Sequence, residues 1–416
     1  MAQLPEQLSV VQANIDDPGD LMRDLERALS GTGPAVAPVP TASPDSGPAA
    51  LSPSLARTLA PDRELDAPGV AVVLPTSGST GDPKGVLLSA TALTASATAT
   101  LQRLGGPGRW LLALPPTRIA GLQVLVRSVL GGVGAPVSLA AGRHGTGSGQ
   151  GGFDPDVFAA ATRALMSRSA GSAGSVGGSR DRYYTSLVPT QLLRLLDAGG
   201  EAAEALRAYD AVLVGGAATN QTLLRRARAA GIGVLTTYGA TETCGGCVYD
   251  GTALDGVSVA LEADGRILLG GDVLFSGYRL DPTATSNALT GGWFRTADLG
   301  RIDEEGRLAV LGRTDDVVVS GGVNVPLPAV EDVVAAMPNV RTCAVLGIPD
   351  PVWGSKVVAF VVPRAEAAAP ALAEVRDAVS AIYPREYAPR KIVLVTELPM
   401  LESGKVDRLQ LRSTLV

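Results

Sequence analysis

Between residues 70 and 310 the chain repeats one pattern. Short apolar runs, "VAVVL", "RWLLAL", "APVSLA", "YYTSLV", "AVLVGG" and "GVLTTYG", alternate with Ala-, Leu- and Arg-bearing stretches of helical period such as "PTQLLRLLDAGGEAAEALRAY". Parallel strands cannot be joined by a tight turn, and a helix is the compact crossover between them, so this alternation specifies an α/β fold with a mixed or parallel sheet. Beyond residue 313 the pattern changes to a short strand "DDVVVSGG", a helix "PLPAVEDVVAAM", strands "RTCAVLGIP" and "KVVAFVVP", a helix near 370 to 383 and a strand "KIVLVTEL". That is an α+β unit of about 100 residues, large enough for its own core. The expected division is a large N-terminal α/β domain with mixed sheets at 1–313 and a small mobile α+β C-terminal domain at 314–416. Upstream, 16–29 has helical spacing after acidic residues, whereas 34–70 is rich in Pro, Ala and Ser and reads as a short lead-in.

Charge and cysteine content exclude several classes of function. A formal net charge of -6, with no long Lys/Arg run, gives no attraction to nucleic acid or anionic lipid. The N-terminus lacks a basic segment followed by an apolar core, so a cytoplasmic protein is expected. The most apolar stretch, Ile119 to Ala141, contains Arg127 and several glycines and reads as buried structure rather than a membrane span. The 3 cysteines are too few for a disulfide framework. Cys244 and Cys247 form a C-x-x-C, but with one other cysteine and a single histidine, His144, a four-ligand zinc site would need carboxylates, and the pair is read as small apolar filling. Gly147, Gly149 and Gly152 match G-x-G-x-x-G inside one of two Gly/Ser-rich tracts. Pro155 delays any helix after them, so the tract is read as a loop and not as a dinucleotide fingerprint.

"TSGSTGDPKGV", residues 76–86, holds 3 glycines, 4 hydroxyl side chains and 1 lysine in 11 positions. Small residues let backbone N–H groups line an anion-binding concavity, so a nucleotide phosphate is the expected ligand. A Walker A loop is excluded, because Lys84 lies between Pro83 and Gly85 and no Ser or Thr follows it. In the same order along the chain come "VGGAAT" at 214, "YGATET" at 238, "FRTADLG" at 294, "LGRTDDVVVSGGVNV" at 311 and "LESGKVDR" at 401.

Together these motifs resemble the adenylate-forming enzymes, the superfamily of acyl-CoA synthetases, luciferases and peptide-synthetase adenylation domains, over about residues 70–412. The resemblance implies ATP, Mg²⁺ and CoA as co-substrates and cofactor, and a small carboxylic acid as the group activated. It implies that Thr76, Ser77, Gly78, Ser79, Thr80, Gly81 and Lys84 grip the β and γ phosphates on a loop able to release pyrophosphate. Gly215, Gly216 and Ala217 would lie flat beside adenine and acyl chain. Tyr238, next to the turn glycine Gly239, would pack on adenine, Thr241 would contact the α phosphate, and Glu242 would help hold Mg²⁺. Asp298 would accept both ribose hydroxyls and Arg313 would reach the same ribose. Asp315 would be the hinge, with Asp316 its solvated neighbour. Lys405 would bridge the attacking carboxylate and the α phosphate, and after domain rotation Gly321 and Gly322 would flank the pantetheine channel.

The chain is short for the superfamily, and "LPPTRIAGLQVLVRSV" with "TSLVPTQLLRLL" resembles the acyl-pocket region of its compact o-succinylbenzoate-CoA ligases of menaquinone synthesis. Where many members carry a histidine or aromatic near the pocket entrance, this chain has Thr117 and Arg118. Arg127 is the only charge between Arg118 and Arg143. A cation on an apolar helix needs an anion, and two explanations stand: the second carboxylate of a diacid such as o-succinylbenzoate, or a structural salt bridge. Other aryl or short acyl acids remain alternatives, as does a non-catalytic nucleotide or CoA sensor on the same fold. A homodimer stays open.

Overall fold

The computed structural model describes residues 7–40, 51–77, 83–139, 153–170, 181–364, 368–400 and 406–415. The strand Val70–Ser77 and its antiparallel partner Pro83–Ser89 stand at the centre of the first sheet. On one side Val70–Ser77 pairs in parallel with Ala35–Pro40, which pairs in parallel with Leu8–Ala13; on the other, Pro83–Ser89 pairs with the short strand Gly277–Tyr278. The stretch expected to be a lead-in is therefore integral to the fold, and Val36 and Ala37 are buried. Composition hid it because prolines argue against an interior strand. Here the ladder to Val70–Ser77 is registered at Val36↔Val72, and Pro38 and Pro40 lie past that point. The helix Gly19–Leu29 follows the first strand with Pro18, not an acidic side chain, at its N-cap.

The second sheet has 7 strands in the order Thr252–Ala253, Gly245–Tyr249, Val234–Ala240, Ala211–Val214, Tyr183–Leu187, Arg109–Leu112 and Val137–Ser138. The last five run parallel and the first two are added antiparallel. Helices cover both faces, which is why these strands read as continuous apolar runs. Ala90–Arg103 and Ile119–Gly131 share a core with Trp110, Tyr184 and Tyr249, and that core continues into Val72 and Leu74 of the first sheet. On the far face Phe158, Leu192, Leu206 and Leu224 pack on Val212 and Val214. The long helical segment after residue 188 is two helices, Pro189–Ala198 and Gly200–Arg207, broken where Gly199 takes φ +63°.

A third, antiparallel sheet is built around the long strand Trp293–Ile302, which pairs with Arg266–Gly271, Leu289–Thr290 and Leu308–Arg313. The fourth contains Val323–Pro326, Val317–Ser320, Gly354–Pro363, Val340–Asp350 and Lys391–Leu394. The helices Leu327–Ala335 and Leu372–Ser380 cover one face through Val330, Val334, Val375 and Val379, and Leu411 of Arg408–Ser413 packs on Ala344, Leu346 and Phe360 of the other. The chain thus combines mixed α/β layers with a C-terminal α+β sheet, as its patterning implies. Among the described residues no helix is long and apolar enough to cross a membrane.

Candidate active site

In open parallel sheets, ligands sit beyond the carboxyl ends of the strands. Here Ala211–Val214 ends in Gly215, Gly216 and Ala217, and its neighbour Val234–Ala240 ends in the 3₁₀ turn Thr241–Thr243. Both ends need glycine. A Cβ on Gly215 would stand 2.2 Å from Thr237 Oγ1, and one on Gly239 would stand 2.1 Å from the Gly245 carbonyl oxygen. Gly216 takes φ +79°, and Ala217 beyond it is exposed. The turn is closed by the buried Thr243 hydroxyl, which accepts from Ala240 N at 2.9 Å and donates to Gly245 O at 2.8 Å. Thr241 and Glu242 are left half-buried at the strand end.

Two small clusters form there from residues far apart in sequence. In the first, Tyr238 Oη donates to Asp298 Oδ2 at 2.7 Å, and Arg313 Nη1 lies 3.8 Å from Asp298 Oδ1. Asp298 and Arg313 are direct cross-strand partners in the third sheet. Burial and then the Asp298 carboxylate hold the Tyr238 phenol well above its ordinary value, so it stays a neutral donor. In the second cluster Tyr278 Oη donates to Glu242 Oε1 at 2.8 Å, and Lys84 Nζ lies 4.9 Å from the centre of the Tyr278 ring. The Glu242 main-chain oxygen accepts from Phe275 N at 2.8 Å. Burial and the Glu242 carboxylate likewise raise the Tyr278 phenol. Tyr278 was not among the residues expected from sequence. Its only local signal is a hydroxyl-bearing aromatic between a glycine and a turn-forming "DP" in "GYRLDP".

Thr76 and Lys84 face each other across the first-sheet hairpin, and the Thr76 hydroxyl donates to the Lys84 carbonyl at 3.3 Å. Ser77 ends its strand; Gly78, Ser79, Thr80, Gly81 and Lys405 lie outside the described residues, as do Gly147, Gly149 and Gly152. Asp315 lies in the 3₁₀ turn Thr314–Asp316 that leads into the fourth sheet. Gly321 and Gly322, at φ +60° and +83°, make the turn between the first two strands of that sheet. Gly321 packs beside Trp353, whose carbonyl accepts from Gly321 N at 3.0 Å, while the space next to Gly322 is open.

Arg118 is the half-buried N-cap residue of the helix Ile119–Gly131. Arg127, two turns further on, is 3% exposed, its guanidinium 5.3 Å from the Trp110 ring centre and its Nε without a hydrogen-bond partner. Neither arginine has an ion pair among the described residues, so the salt bridge offered as one explanation for Arg127 is not found there. Burial lowers the Arg127 pKa from its usual value. One turn before it, Gln123 donates to the Cys244 carbonyl at 2.7 Å, tying this helix to the turn that carries Glu242. Its Oε1 is also buried without a partner. Nothing in the local sequence singled out Gln123.

Cys244, Cys247 and Cys343 are free and buried. Burial pushes the Cys247 thiol up to about 12 and raises the other two. Because the folded state holds these protons more tightly than the unfolded chain does, the associated stability is complete below about pH 8.5 and is lost as pH rises above it. We expect a chromogenic disulfide reagent at pH 8 to leave all three thiols unmodified until denaturant is added, and the thermal midpoint to fall between pH 8.5 and 10; rapid labelling of the native protein would contradict the burial.

The chain matches the AMP-binding enzyme family over residues 15–140 and 183–278, and the AMP-binding enzyme C-terminal domain over residues 329–405. It is 42% identical over 390 residues to a probable 2-succinylbenzoate–CoA ligase of Mycobacterium tuberculosis, covering 93% of each chain. It is 32% identical to the 2-succinylbenzoate–CoA ligase of Listeria monocytogenes, over 82% of this chain and 69% of that one. Among solved structures, the o-succinylbenzoate coenzyme A synthetase of Bacillus subtilis in complex with AMP superposes with a TM-score of 0.65 at 27% identity, over 84% of this chain and 70% of that one. With the motifs at the strand ends and these matches on both sides of residue 313, the chain belongs to the AMP-binding, adenylate-forming enzyme family.

Proposed function

We infer that this protein is an AMP-forming acid–CoA ligase that converts 2-succinylbenzoate to 2-succinylbenzoyl-CoA. The observation that carries the reading is the pairing of Lys84 with Glu242 through Tyr278, and of Tyr238 with Asp298 and Arg313, where three sheets meet, in a chain that matches a relative bearing that ligase name over 93% of its length. A carboxylate oxygen of the acid attacks the α phosphorus of ATP, the bond to the β-phosphate oxygen breaks, and pyrophosphate leaves. The CoA thiol, giving up its proton, then attacks the acyl carbon; the bond to AMP breaks and the thioester forms.

The residues divide the work as follows. Thr76, Ser77, Gly78, Ser79, Thr80, Gly81 and Lys84 hold the β and γ phosphates, and Thr241 the α phosphate. Gly215, Gly216, Ala217, Tyr238 and Gly239 enclose the adenine, while Asp298 and Arg313 take the ribose. Among the described residues no three His, Cys, Asp or Glu side chains cluster. A Mg²⁺ ion would be held by Glu242 and substrate oxygens, a donor set that suits it, and it would supply positive charge to the phosphates. Lys405 stabilises the first transition state. Residues 314–416 then turn about Asp315 and bring Gly321 and Gly322 to the pantetheine. Arg127, a buried cation without an ion-pair partner among the described residues, and Arg118, at the start of the same helix, provide charge for the second carboxylate. Unpaired thiols suit the reducing cytoplasm.

Pyrophosphate release and thioester formation with 2-succinylbenzoate, benzoate and a medium-chain fatty acid test this reading. The expected result is clear preference for the diacid, with Arg127→Leu raising its KM by at least tenfold, a difference of about 1.4 kcal/mol, while KM for ATP changes little. Equal turnover of a monocarboxylate would overturn the substrate assignment, and an unchanged diacid KM in Arg127→Leu would make that residue structural.

A further inference from the structure

Glu242 and Lys84 belong to different sheets, and one side chain touches both. The Tyr278 hydroxyl donates to Glu242 Oε1 at 2.8 Å, while the Tyr278 ring stands 4.9 Å from Lys84 Nζ. Its position is fixed from several directions. Tyr278 pairs with Val86, two residues beyond Lys84, so ring and ammonium ride on adjacent strands. Its main-chain N–H donates to Thr285 Oγ1 at 2.8 Å, and the Phe275 ring packs edge-on at 5.0 Å. Phe275 N also holds the Glu242 carbonyl, so the segment Phe275–Tyr278 grips Glu242 by both main chain and side chain. Gly277 makes the approach possible: it takes φ +142°, and a Cβ there would stand 2.9 Å from Thr285 Cγ2.

We propose that Tyr278 is a positioning residue for the ATP half-reaction, its hydroxyl orienting the Glu242 carboxylate and its ring holding the Lys84 ammonium in place for the phosphates. The two functions are separable because they use different atoms. The hydroxyl fixes which Glu242 oxygen faces the nucleotide. The ring offers its negative face to a cation that must meet phosphate without collapsing onto Glu242. A glutamate and a lysine in the same small site attract each other, and a neutral aromatic between them keeps both available to the substrate.

This inference rests on the ligase reading only for its catalytic arm. Three proteins are compared: unmodified, Tyr278→Phe, which keeps the ring, and Tyr278→Leu, which loses ring and hydroxyl. Binding of MgATP and of AMP is measured by calorimetry without any acid, acid-dependent ATP–pyrophosphate exchange is measured alongside, and the thermal midpoint of each protein is recorded. Tyr278→Phe should lower kcat for exchange about tenfold with KM for ATP within about twofold. Tyr278→Leu should further weaken MgATP binding about fivefold, and both should bind AMP, which lacks the β and γ phosphates, within about twofold of the unmodified protein. Equal loss of AMP and MgATP binding with a falling thermal midpoint would make Tyr278 a structural residue and overturn the proposal, as would a Tyr278→Phe protein that exchanges at the full rate. If the unmodified protein shows no exchange with any acid, the ligase reading fails, while the MgATP-against-AMP comparison still decides the role of the ring.

Discussion

Replacing Lys405 with alanine is expected to reduce ATP-dependent adenylate formation by a factor on the order of 10² to 10³, about 3 to 4 kcal/mol of transition-state stabilisation. In its proposed role the cation is useful while the carboxylate oxygen attacks the α phosphorus and negative charge accumulates between the two. It has no corresponding task once the mixed anhydride exists and thiol attack begins. Supplied with preformed acyl-adenylate and CoA, the variant should still form thioester within about tenfold of the unmodified protein, a gap of about 1.4 kcal/mol. Single-turnover measurement of each half-reaction checks this. Equal collapse of both would assign Lys405 to structure or to CoA binding, and no change in either would place the decisive cation elsewhere. The lysine follows "LESG", and the chain just after it is tied down. Val406 bridges Met400, Asp407 N donates to Pro399 O at 2.8 Å, and Arg408 donates to Val345 O at 2.6 Å and to the half-buried Glu331 carboxylate at 3.0 Å.

The second large effect concerns folding. Arg279, whose side chain is fully buried, donates from Nε to Leu59 O at 2.5 Å, from Nη2 to Ala60 O and Arg63 O at 2.7 Å each, and from Nη1 to Glu64 O at 3.1 Å. Asp66 Oδ2 completes the set at 3.3 Å. One guanidinium thereby satisfies the carbonyls of an entire turn and packs it under Gly85, whose carbonyl accepts from Arg279 N at 2.7 Å. Alanine at this position would leave those acceptors without their donor and Asp66 without its cation, so we expect a loss of about 3 to 5 kcal/mol. In a chain of this size that lowers the thermal midpoint by about 3 to 6 °C. Lysine should recover little of it, because a point charge cannot reproduce the planar fork. A thermal-shift measurement on both variants decides the matter: a midpoint within about 1 °C of the unmodified protein, roughly the effect of 1 kcal/mol or less, would show that the turn holds without Arg279.

The sequence was legible wherever information is local. Strand runs between 70 and 240 and the strands beyond 317 fall where their apolar periodicity places them, since a buried strand needs only a few adjacent apolar residues to declare itself. Gly215 and Gly239 were legible as glycines that let backbone come close, and the structure supplies the steric reason, because a Cβ on either would run into the neighbouring strand. The buried, unreactive reading of Cys244 and Cys247 also follows from their small apolar surroundings. Reading failed where composition and geometry disagree. The strand Ala35–Pro40 was hidden by its prolines, which lie past the point Val36↔Val72 at which the ladder to Val70–Ser77 is registered.

What the sequence by itself determined is the α/β class, the order of the motifs and the family they point to, because each depends on residues within a few positions of one another. The tertiary structure alone decided which of these residues act together. Tyr238 meets Asp298 across 60 positions, Tyr278 meets Glu242 across 36, and Gln123 reaches Cys244 across 121. It also decided that Arg127 is buried against Trp110 instead of joining a salt bridge among the described residues. The physical reason is register: a hydrogen bond demands placement within a few tenths of an ångström, and that placement is fixed by how strands pair and sheets stack, which no local run of residues encodes.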